Sequence, residues 1–307
     1  MIDFSKKPLF LAPLAGFSDL PLRSVVKKFG CDVTVSEMIS ANALVYESSD
    51  KTLEMLKKSP NEDPYVVQIA GSDIENLKKA VQIINKFDGI YGLDLNCGCP
   101  VPKVVRQGAG SALLNDLDKL QSIISAIKSV SNKNSLSVKF RLGFNDKNEE
   151  KIAKACEEAG ADYIAVHGRT RAGGYSAKVD YEAIARVKAS VKIPVVANGD
   201  INAQNADEIL NLTKCDALMI GRASIGNPWI FHEIKTKTSV DKALKQKIIL
   251  AHFDAMIEHY GEHGLCIFRK HLHQYSKGID GATTFRNDVN FIKDVAAMRE
   301  RIREFFA

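Results

Sequence analysis

The sequence has no long apolar run. None of its hydrophobic segments reaches the roughly 18 residues that a membrane-spanning helix needs. The start, MIDFSKKPLFLAPLAG, lacks the charged-then-apolar order of a secretory signal peptide. We therefore expect a cytoplasmic protein without a membrane partner.

Cysteine is sparse, since the 307 residues contain six. This scarcity excludes the dense disulfide framework of small secreted domains and favours reduced thiols. A nicotinamide-binding G-x-G-x-x-G motif is also absent. The 42 basic residues barely exceed the 37 acidic ones, so the net charge of +5 permits an anionic partner without requiring one.

Short β-rich segments recur along most of the chain. Most are apolar throughout, which is typical of parallel strands covered on both faces. Helical patterns such as SDIENLKKAVQIINKF separate them. Eight repeats predict an α/β protein with a closed (β/α)₈ TIM barrel, and an open doubly wound sheet is the alternative. The strand segments are LFLAP, DVTVSE, YVVQIAG, YGLDLN, LSVKFRLG, DYIAVHG, IPVVANGD and ALMIGRA.

The end of the chain has a purely helical pattern, which begins at about Asp241. Its last apolar stripe predicts a helix with a buried face, and the arginines opposite predict a solvated face. We expect a barrel over residues 1–237 and a small all-helical domain over residues 238–307. The stripe consists of Val295, Met298, Ile302 and Phe305, and the opposite face carries Arg299, Arg301 and Arg303.

Five of the seven histidines lie in this helical region. Their spacings do not form a strong metal-binding signature, so we expect packed or exposed side chains and no metal ion. The five are His252, His259, His263, His271 and His273.

Polar side chains follow the predicted strands where each strand ends, which is where barrel enzymes carry their working residues. Such a set suits a ligand that is polar on one side and anionic at one end. The glycine turns of ANGDI and MIGRASIGNP, after the last two strands, predict a phosphate site. The strand-end residues are Gln68, Asn96, Cys99, Lys139, Arg141, His167, Arg169, Asn198, Asp200 and Arg222.

The segment GLDLNCGCPVPK contains Cys97 and Cys99. Two cysteines supply only two of the four ligands of a structural zinc site. A disulfide bond between cysteines separated by a single residue would have poorly placed Cβ atoms. Two structural thiols, or one functional thiol, remain. Because Cys99 lies between Gly98 and Pro100, past the end of the strand, it is the better functional candidate.

These motifs resemble those of the tRNA-dihydrouridine synthases, flavoenzymes that reduce selected uridines in tRNA. The likeness runs nearly end to end and leans towards the bacterial B-type group. Similar proteins join a flavin-binding barrel to a helical bundle that helps to hold tRNA. The motifs are APLAGFSDLPLR, EMIS, VQIAG, DLNCGCPVPKVVRQGAGSALL, VKFRLG, VHGRTRAGGY, ANGDI, GRASIGNPWIF and FRKHLHQYSKG.

The resemblance implies a tightly bound FMN that NADPH or NADH reduces. Gln68 and Lys139 would reach the polar edge of the flavin ring, where a cation stabilises the charge of reduced flavin. His167 would lie near the phosphate side. The ring would be lined by Pro13, Leu14 and Ala15, and the phosphate end held by Asn198, Gly199, Asp200, Gly221 and Arg222.

The resemblance also implies how uridine is reduced. Asn96 would orient the uracil, and Cys99 would protonate C5 while reduced flavin delivers hydride to C6. A thiol that keeps its proton near pH 7 suits this role, so we predict that Cys99 is not activated as a thiolate. Two positions depart from the family pattern, Ala177 and Tyr181; we expect both to lie in a loop, to leave the chemistry untouched and to affect loop shape and target preference.

A target base that is stacked inside folded RNA must be extruded, which costs free energy. Basic residues must offset that cost by binding the RNA backbone. We expect the group, rather than any one member, to bind tRNA, and we expect the protein to be a monomer. The candidates are Arg106, Arg141, Arg169, Arg171, Arg269, Lys270, Lys277, Arg286 and Arg299.

Three other functions stay open on the sequence. A flavin barrel that acts on a free pyrimidine or enone would share the phosphate loops but would not need the basic tail. A non-catalytic tRNA-binding protein would not need Asn96, Cys99 and Lys139 together. A barrel lyase for phosphorylated metabolites gives no reason for the segment around Cys99.

Overall fold

Eight parallel strands close into a barrel in the computed structural model, which describes residues 2–47 and 49–307. The barrel order is β1-β2-β4-β5-β6-β7-β8-β9, and β9 pairs with β1 through Leu218 beside Leu9. This closure confirms the TIM barrel and excludes the open sheet. The strands are β1 Leu9–Leu11, β2 Val33–Val35, β3 Ile39–Ser40, β4 Tyr65–Ala70, β5 Gly92–Cys97, β6 Ser135–Arg141, β7 Tyr163–His167, β8 Val195–Asn198 and β9 Ala217–Ile220.

The eight predicted strand segments are all confirmed. The two-residue strand β3, which pairs with β4, had no signal of its own in the sequence. It is too short to show a pattern.

Helices cover the outside of the barrel and form the end of the chain. Aspartates at several N-termini accept the amide three residues on, as Asp73 does from Asn76 and Asp180 from Ala183. The α-helices are α1 Leu20–Lys28, α2 Asp50–Glu54, α3 Ile74–Ile84, α4 Pro102–Arg106, α5 Leu117–Val130, α6 Glu149–Glu158, α7 Tyr181–Ser190, α8 Ala206–Thr213, α9 Ile230–Thr236, α10 Lys242–Tyr260, α11 His263–Tyr275, α12 Ala282–Phe291 and α13 Val295–Phe305. Short 3₁₀ helices span Phe4–Lys6, Gly110–Asn115 and Arg222–Ser224, and a π-helix spans Ala43–Glu47.

The inside of the barrel is apolar at one end and polar at the other. Phe10, Val66, Tyr163 and Met219 belong to one buried cluster in which the Phe10 and Tyr163 rings lie 5.8 Å apart. Strands β4 to β8 instead carry polar residues such as Gln68 and Asn198 at or near their carboxyl ends. The barrel is therefore a packed core with a polar opening at the carboxyl ends of its strands.

Helices α10–α13 pack around a core that is distinct from the core between the barrel and its helices. Met298 and Ile302 are buried in it, and Val295 and Phe305 pack at its edge, as the stripe predicts. On the opposite face, Arg299 pairs with Asp254, Arg301 with Asp288, and Arg303 with Glu300. Within the described residues, no helix has the length and apolar character needed to cross a membrane.

A buried polar cluster joins these helices to the barrel. It contains Asp19, at the start of α1, His252 of α10 and His271 of α11, whose candidate ligand atoms lie within 4.8 Å of one another. The His252 Nδ1 contacts the Tyr275 hydroxyl at 2.9 Å, whereas its Nε2 and both ring nitrogens of His271 have no hydrogen-bond partner among the residues that the structure describes. Two of the tail histidines are thus packed inside the molecule.

The burial of these two histidines predicts that the folded protein becomes less stable in acid. Burial lowers the pKa of His252 to about 3 and holds the pKa of His271 well below its usual value. The unfolded chain protonates both rings below about pH 6.5, so unfolding then takes up protons and the free energy of unfolding should fall as the pH drops from 6.5 towards 3. Burial raises the pKa of Asp19 to about 6, and within this cluster that carboxyl opposes the trend.

Urea unfolding of the wild type and of His252→Gln at pH 7 and at pH 5 measures this effect. The variant lacks one titrating ring, so its stability relative to the wild type should improve at the lower pH. An identical difference between the two proteins at both pH values would contradict the assignment.

Candidate active site

Two cavities meet at the carboxyl ends of the strands. One, of about 430 Å³, lies against the loops after β8 and β9, and we call it the β8–β9 cavity. The other, of about 450 Å³, is lined by Cys99 and Asn96, and we call it the thiol cavity. They form one continuous cleft because they share walls. The shared residues are Pro13, Leu14, Lys139, His167, Tyr175 and Arg222.

The turn after β8 shapes the β8–β9 cavity. Gly199 has a φ of +128°, which side chains rarely adopt, and Asp200 follows at +44°. The Tyr181 hydroxyl donates to the Gly199 carbonyl at 2.8 Å. Tyr181 is the first residue of α7, which corrects its predicted placement in a loop, and its hydroxyl supports this turn.

Two arginines converge at this end of the cleft. Arg169 and Arg222 both form ion pairs with the Asp200 carboxylate. The hydrogen bond from Arg169 is the main reason that the pKa of Asp200 lies below its usual value. The Asp200 side chain is thus occupied in orienting cations, and an anion would meet the guanidinium of Arg222 and the backbone of the turn.

His167 is a neutral ring in the wall of both cavities. Burial, together with the charges of Lys139, Arg141 and Arg169, lowers its pKa to about 2. Arg169 can only donate, so the His167 Nε2 accepts from its Nη1 at 3.3 Å. His167 cannot serve as a cation near neutral pH.

The Lys139 ammonium lies between the two cavities. Its Nζ donates to the Asn198 Oδ1 at 3.1 Å, and the Asn198 Nδ2 donates to the Met219 carbonyl at 2.8 Å. Burial lowers the pKa of Lys139 to about 8, and Asp94 partly opposes the shift. Because neighbouring groups compensate little of the positive charge of this buried ammonium, the site favours a ligand that brings negative charge.

The structure separates the two neighbouring cysteines. Cys97 ends β5 and is fully buried, and burial raises its pKa well above the usual value. Cys99 lies beyond the strand, is partly exposed and lines the thiol cavity. Both are free thiols. Cys99 is therefore the thiol that a ligand in the cleft would meet.

Backbone contacts on both sides hold the thiol loop, which we define as residues 98–101. The Asn96 Oδ1 accepts from the amides of Gly98 and Cys99 at 3.1 and 2.9 Å. The Cys99 carbonyl accepts from the amide and hydroxyl of Ser111 at 3.1 and 2.9 Å. A Cβ on Gly110 would lie 3.0 Å from that carbonyl, which explains the glycine there.

Arg141 lines the thiol cavity, but backbone carbonyls occupy most of its guanidinium. Its Nε donates to Gly98 at 2.9 Å, and its Nη1 donates to Thr170 and Gly174 at 3.1 and 3.0 Å. The residue is 2% exposed. Arg141 ties the thiol loop to the loop after β7, which the prediction of a substrate contact did not anticipate.

Tyr175 is a cleft residue to which the sequence assigned no role. It is 56% exposed, and its ring lies 5.2 Å from the Arg141 guanidinium and 4.8 Å from that of Arg222. It lies in a glycine-containing loop without periodicity, so the only signal was its place in the motif VHGRTRAGGY. Its position between the two cavities makes it a wall against which a planar ligand can pack.

The other predicted basic residues have different partners, and of those described here Lys270 is the one that contacts a wall of the cleft. Lys270 lies over the ring of Phe17, a wall of the thiol cavity, with its Nζ 5.4 Å from the ring centre. Arg269 donates to the Ile292 carbonyl at 2.9 Å and Arg286 to the Ser276 hydroxyl at 2.9 Å, so both have partners within the tail. Arg171 stacks on Phe144.

Comparison with known proteins identifies the family to which this arrangement belongs. The family model described as "Dihydrouridine synthase (Dus)" matches residues 10–307. The chain belongs to the dihydrouridine synthase family. A Helicobacter pylori protein named a probable tRNA-dihydrouridine synthase is 51% identical over 99% of this chain and 94% of its own length. The tRNA-dihydrouridine synthase B of Pseudomonas syringae pv. tomato is 38% identical over 97% and 91%. The resemblance seen in the motifs is confirmed.

Solved structures share the barrel of this dihydrouridine synthase family member. TcOYE, in a crystal structure with pHBA, matches 76% of this chain and 90% of its own, with a TM-score of 0.59 at 10% identity. The old yellow enzyme homologue from Zymomonas mobilis matches 77% and 90%, with a TM-score of 0.57 at 13% identity. At such identities the likeness concerns the fold alone.

Proposed function

We propose that this chain is a tRNA-dihydrouridine synthase that saturates the C5–C6 bond of uridine in tRNA, with FMN as its cofactor and NADPH or NADH as the reductant. The observation that carries the proposal is the partly exposed Cys99 thiol in a cleft that Lys139 connects to a cationic end. Its tRNA substrate places the reaction in the cytoplasm, and the protein acts as a monomer.

The residues of the cleft fit FMN. At the cationic end, Arg222 and the Gly199 turn suit a phosphate, which binds readily to backbone amides and guanidinium groups. In the middle, the sparsely compensated Lys139 ammonium suits the electron-rich edge of the ring system. Pro13, Leu14 and Ala15 provide an apolar wall for the ring. When bound, the flavin supplies the hydride for the reduction.

The protein supplies the proton and the geometry. Cys99 holds a proton on Sγ at the edge of the thiol cavity, from which it can pass to C5 of uracil. The Asn96 side chain already binds the thiol loop and Gln68, and one N–H of its Nδ2 is left for the base. Asn96 therefore acts on both the thiol and the uracil.

The helical region would hold the tRNA. Residues 238–307 carry Lys270 at the edge of the thiol cavity, where it meets Phe17 from the loop after β1. Arg106, at the end of the short helix that follows the thiol loop, is exposed. The proposed division of labour is a catalytic barrel over residues 1–237 and a tRNA-binding domain over residues 238–307.

The test is the dihydrouridine content of tRNA from cells that lack the gene. Mass spectrometry should show the loss of dihydrouridine at one or more positions, with recovery by the wild-type gene and none by Cys99→Ala. A Cys266→Ser gene, which changes an exposed thiol of α11, should restore the modification. Unchanged dihydrouridine in the deletion strain would contradict the proposal.

A further inference from the structure

Asp94 is a buried carboxylate inside the barrel that the reaction described above does not use. It lies on β5, two residues before Asn96, and is 3% exposed. One oxygen accepts from the Ser137 hydroxyl at 2.6 Å, and the other accepts from the Gln68 Nε2 at 2.7 Å. A buried carboxylate needs a reason, because burial disfavours its charge.

From Asp94 a chain of hydrogen bonds runs to the thiol loop. Gln68 receives at its Oε1 a bond of 2.7 Å from the Asn96 Nδ2. Asn96 in turn accepts, at its Oδ1, the amides of Gly98 and Cys99. Every link has a donor on one side and an acceptor on the other.

The two ends of this chain dictate its direction. Backbone amides can only donate, so Asn96 must present its oxygen to the loop and its nitrogen to Gln68. Gln68 must then present its oxygen to Asn96 and its nitrogen to the next group. That group must be an acceptor, and an ionised carboxylate accepts only. Asp94 therefore selects one of the two orientations of each amide.

The surroundings of Asp94 keep its charge tolerable. Burial raises its pKa to about 6, and the bonds from Ser137 and Gln68 and the charge of Lys139 oppose the rise. The hydroxyl of Tyr163, on β7, stays neutral beside Asp94, because burial and the charge of Asp94 raise its pKa. Near pH 7 the carboxylate is therefore present as the acceptor that the chain needs.

We propose that Asp94 is a positioning residue which, through Gln68 and Asn96, orients the thiol loop so that Cys99 points into the cleft. Asp94 does not contact the thiol and lines neither cavity itself, but it binds Gln68, which is a wall of the thiol cavity. The inference rests on the proposed function, because it concerns the proton that Cys99 delivers.

Two substitutions of Asp94 separate hydrogen-bond direction from charge. Asp94→Leu leaves the Gln68 Nε2 without its acceptor, so the Gln68 amide is no longer held in one orientation and the loop loses that support. We expect kcat for dihydrouridine formation to fall about 10- to 100-fold, with the KM for tRNA within about threefold of the wild type. Asp94→Asn removes the charge but can still accept from Gln68 and donate to Ser137, so it should recover most of that loss.

The matched control is Ser137→Ala, which removes the other partner of Asp94 and leaves the chain to Cys99 intact. Its kcat should stay within about threefold of the wild type, since a bond outside the chain is lost. In a Cys266→Ser background, alkylation of Cys99 by iodoacetamide, followed by peptide mass spectrometry, reports on the loop directly. Its rate should change in Asp94→Leu and should not change in Asp94→Asn or Ser137→Ala.

Equal losses in Asp94→Leu and Asp94→Asn would overturn the inference, because charge would then be the cause. A wild-type kcat in Asp94→Leu would also overturn it. If the leucine variant does not fold, Asp94→Ala, which leaves room for water, must show the same kcat loss and changed alkylation rate. Failure of the proposed function is distinguishable, since the wild-type protein itself would then form no dihydrouridine, whereas the alkylation rates of Cys99 would still report on Asp94.

Discussion

Cys99→Ala should retain flavin and tRNA binding and lose most of its dihydrouridine formation. The thiol lines the cavity in which the base must lie, so its loss removes the general acid without removing a wall of the β8–β9 cavity. General acid catalysis contributes typically about 10²- to 10⁴-fold, and we expect a decrease in kcat of that size. Single-turnover reduction of tRNA by the pre-reduced enzyme measures it.

Two controls accompany this variant. Cys266→Ser changes an exposed thiol and should react at the wild-type rate. Flavin absorbance should be equal in all three proteins, because Cys99 is not among the residues proposed to hold the flavin. Single-turnover kinetics of Cys99→Ala that match the wild type would exclude the thiol as the proton donor.

Lys139→Met should weaken flavin binding by about 10- to 100-fold. Methionine keeps much of the apolar stem and removes the ammonium, and a charged hydrogen bond contributes about 1.5–3 kcal/mol. The difference in flavin affinity between the wild type and Lys139→Met should depend on pH. The pKa of Lys139 is lowered to about 8, so in the ligand-free wild type its charge is present below that pH and is lost above it. The advantage of the wild type over the variant should therefore shrink from pH 7 to pH 9.

Titration of the apoprotein with FMN, followed by flavin fluorescence at both pH values, tests this expectation. Lys154→Met, an exposed lysine of α6, is the matched control and should bind like the wild type at each pH. Equal affinity of Lys139→Met and the wild type at pH 7 would remove Lys139 from the cofactor site.

The barrel could be predicted because its strands are long enough and apolar enough to stand out. The inward polar residues were also visible, since Gln68, Asn96 and Lys139 occur where apolar runs end. Their common location follows from the fold, because the carboxyl ends of parallel strands meet at one opening.

What could not be predicted depends on contacts between distant loops. Arg141 was expected to face the substrate, yet its guanidinium binds carbonyls of two loops that no local pattern connects to it. Tyr175 lies in an irregular segment, and only the folded loop brings it between Arg141 and Arg222. The chain from Asp94 to Cys99 requires the register of β4 beside β5, which pairs Gln68 with Asp94.

The loop after β1 links the two halves of the molecule, and this limits how the protein can be divided. Phe17 lines the thiol cavity, and the centre of its ring lies 5.3 Å from that of His271 in an edge-on contact. Asp19 caps α1 by accepting the Leu22 amide, and it also accepts a hydrogen bond from the Tyr260 hydroxyl of α10. Cutting the chain at residue 237 would expose that cap and leave Phe17 without its neighbours. An isolated barrel fragment should therefore be a poor flavoprotein as well as a poor RNA binder.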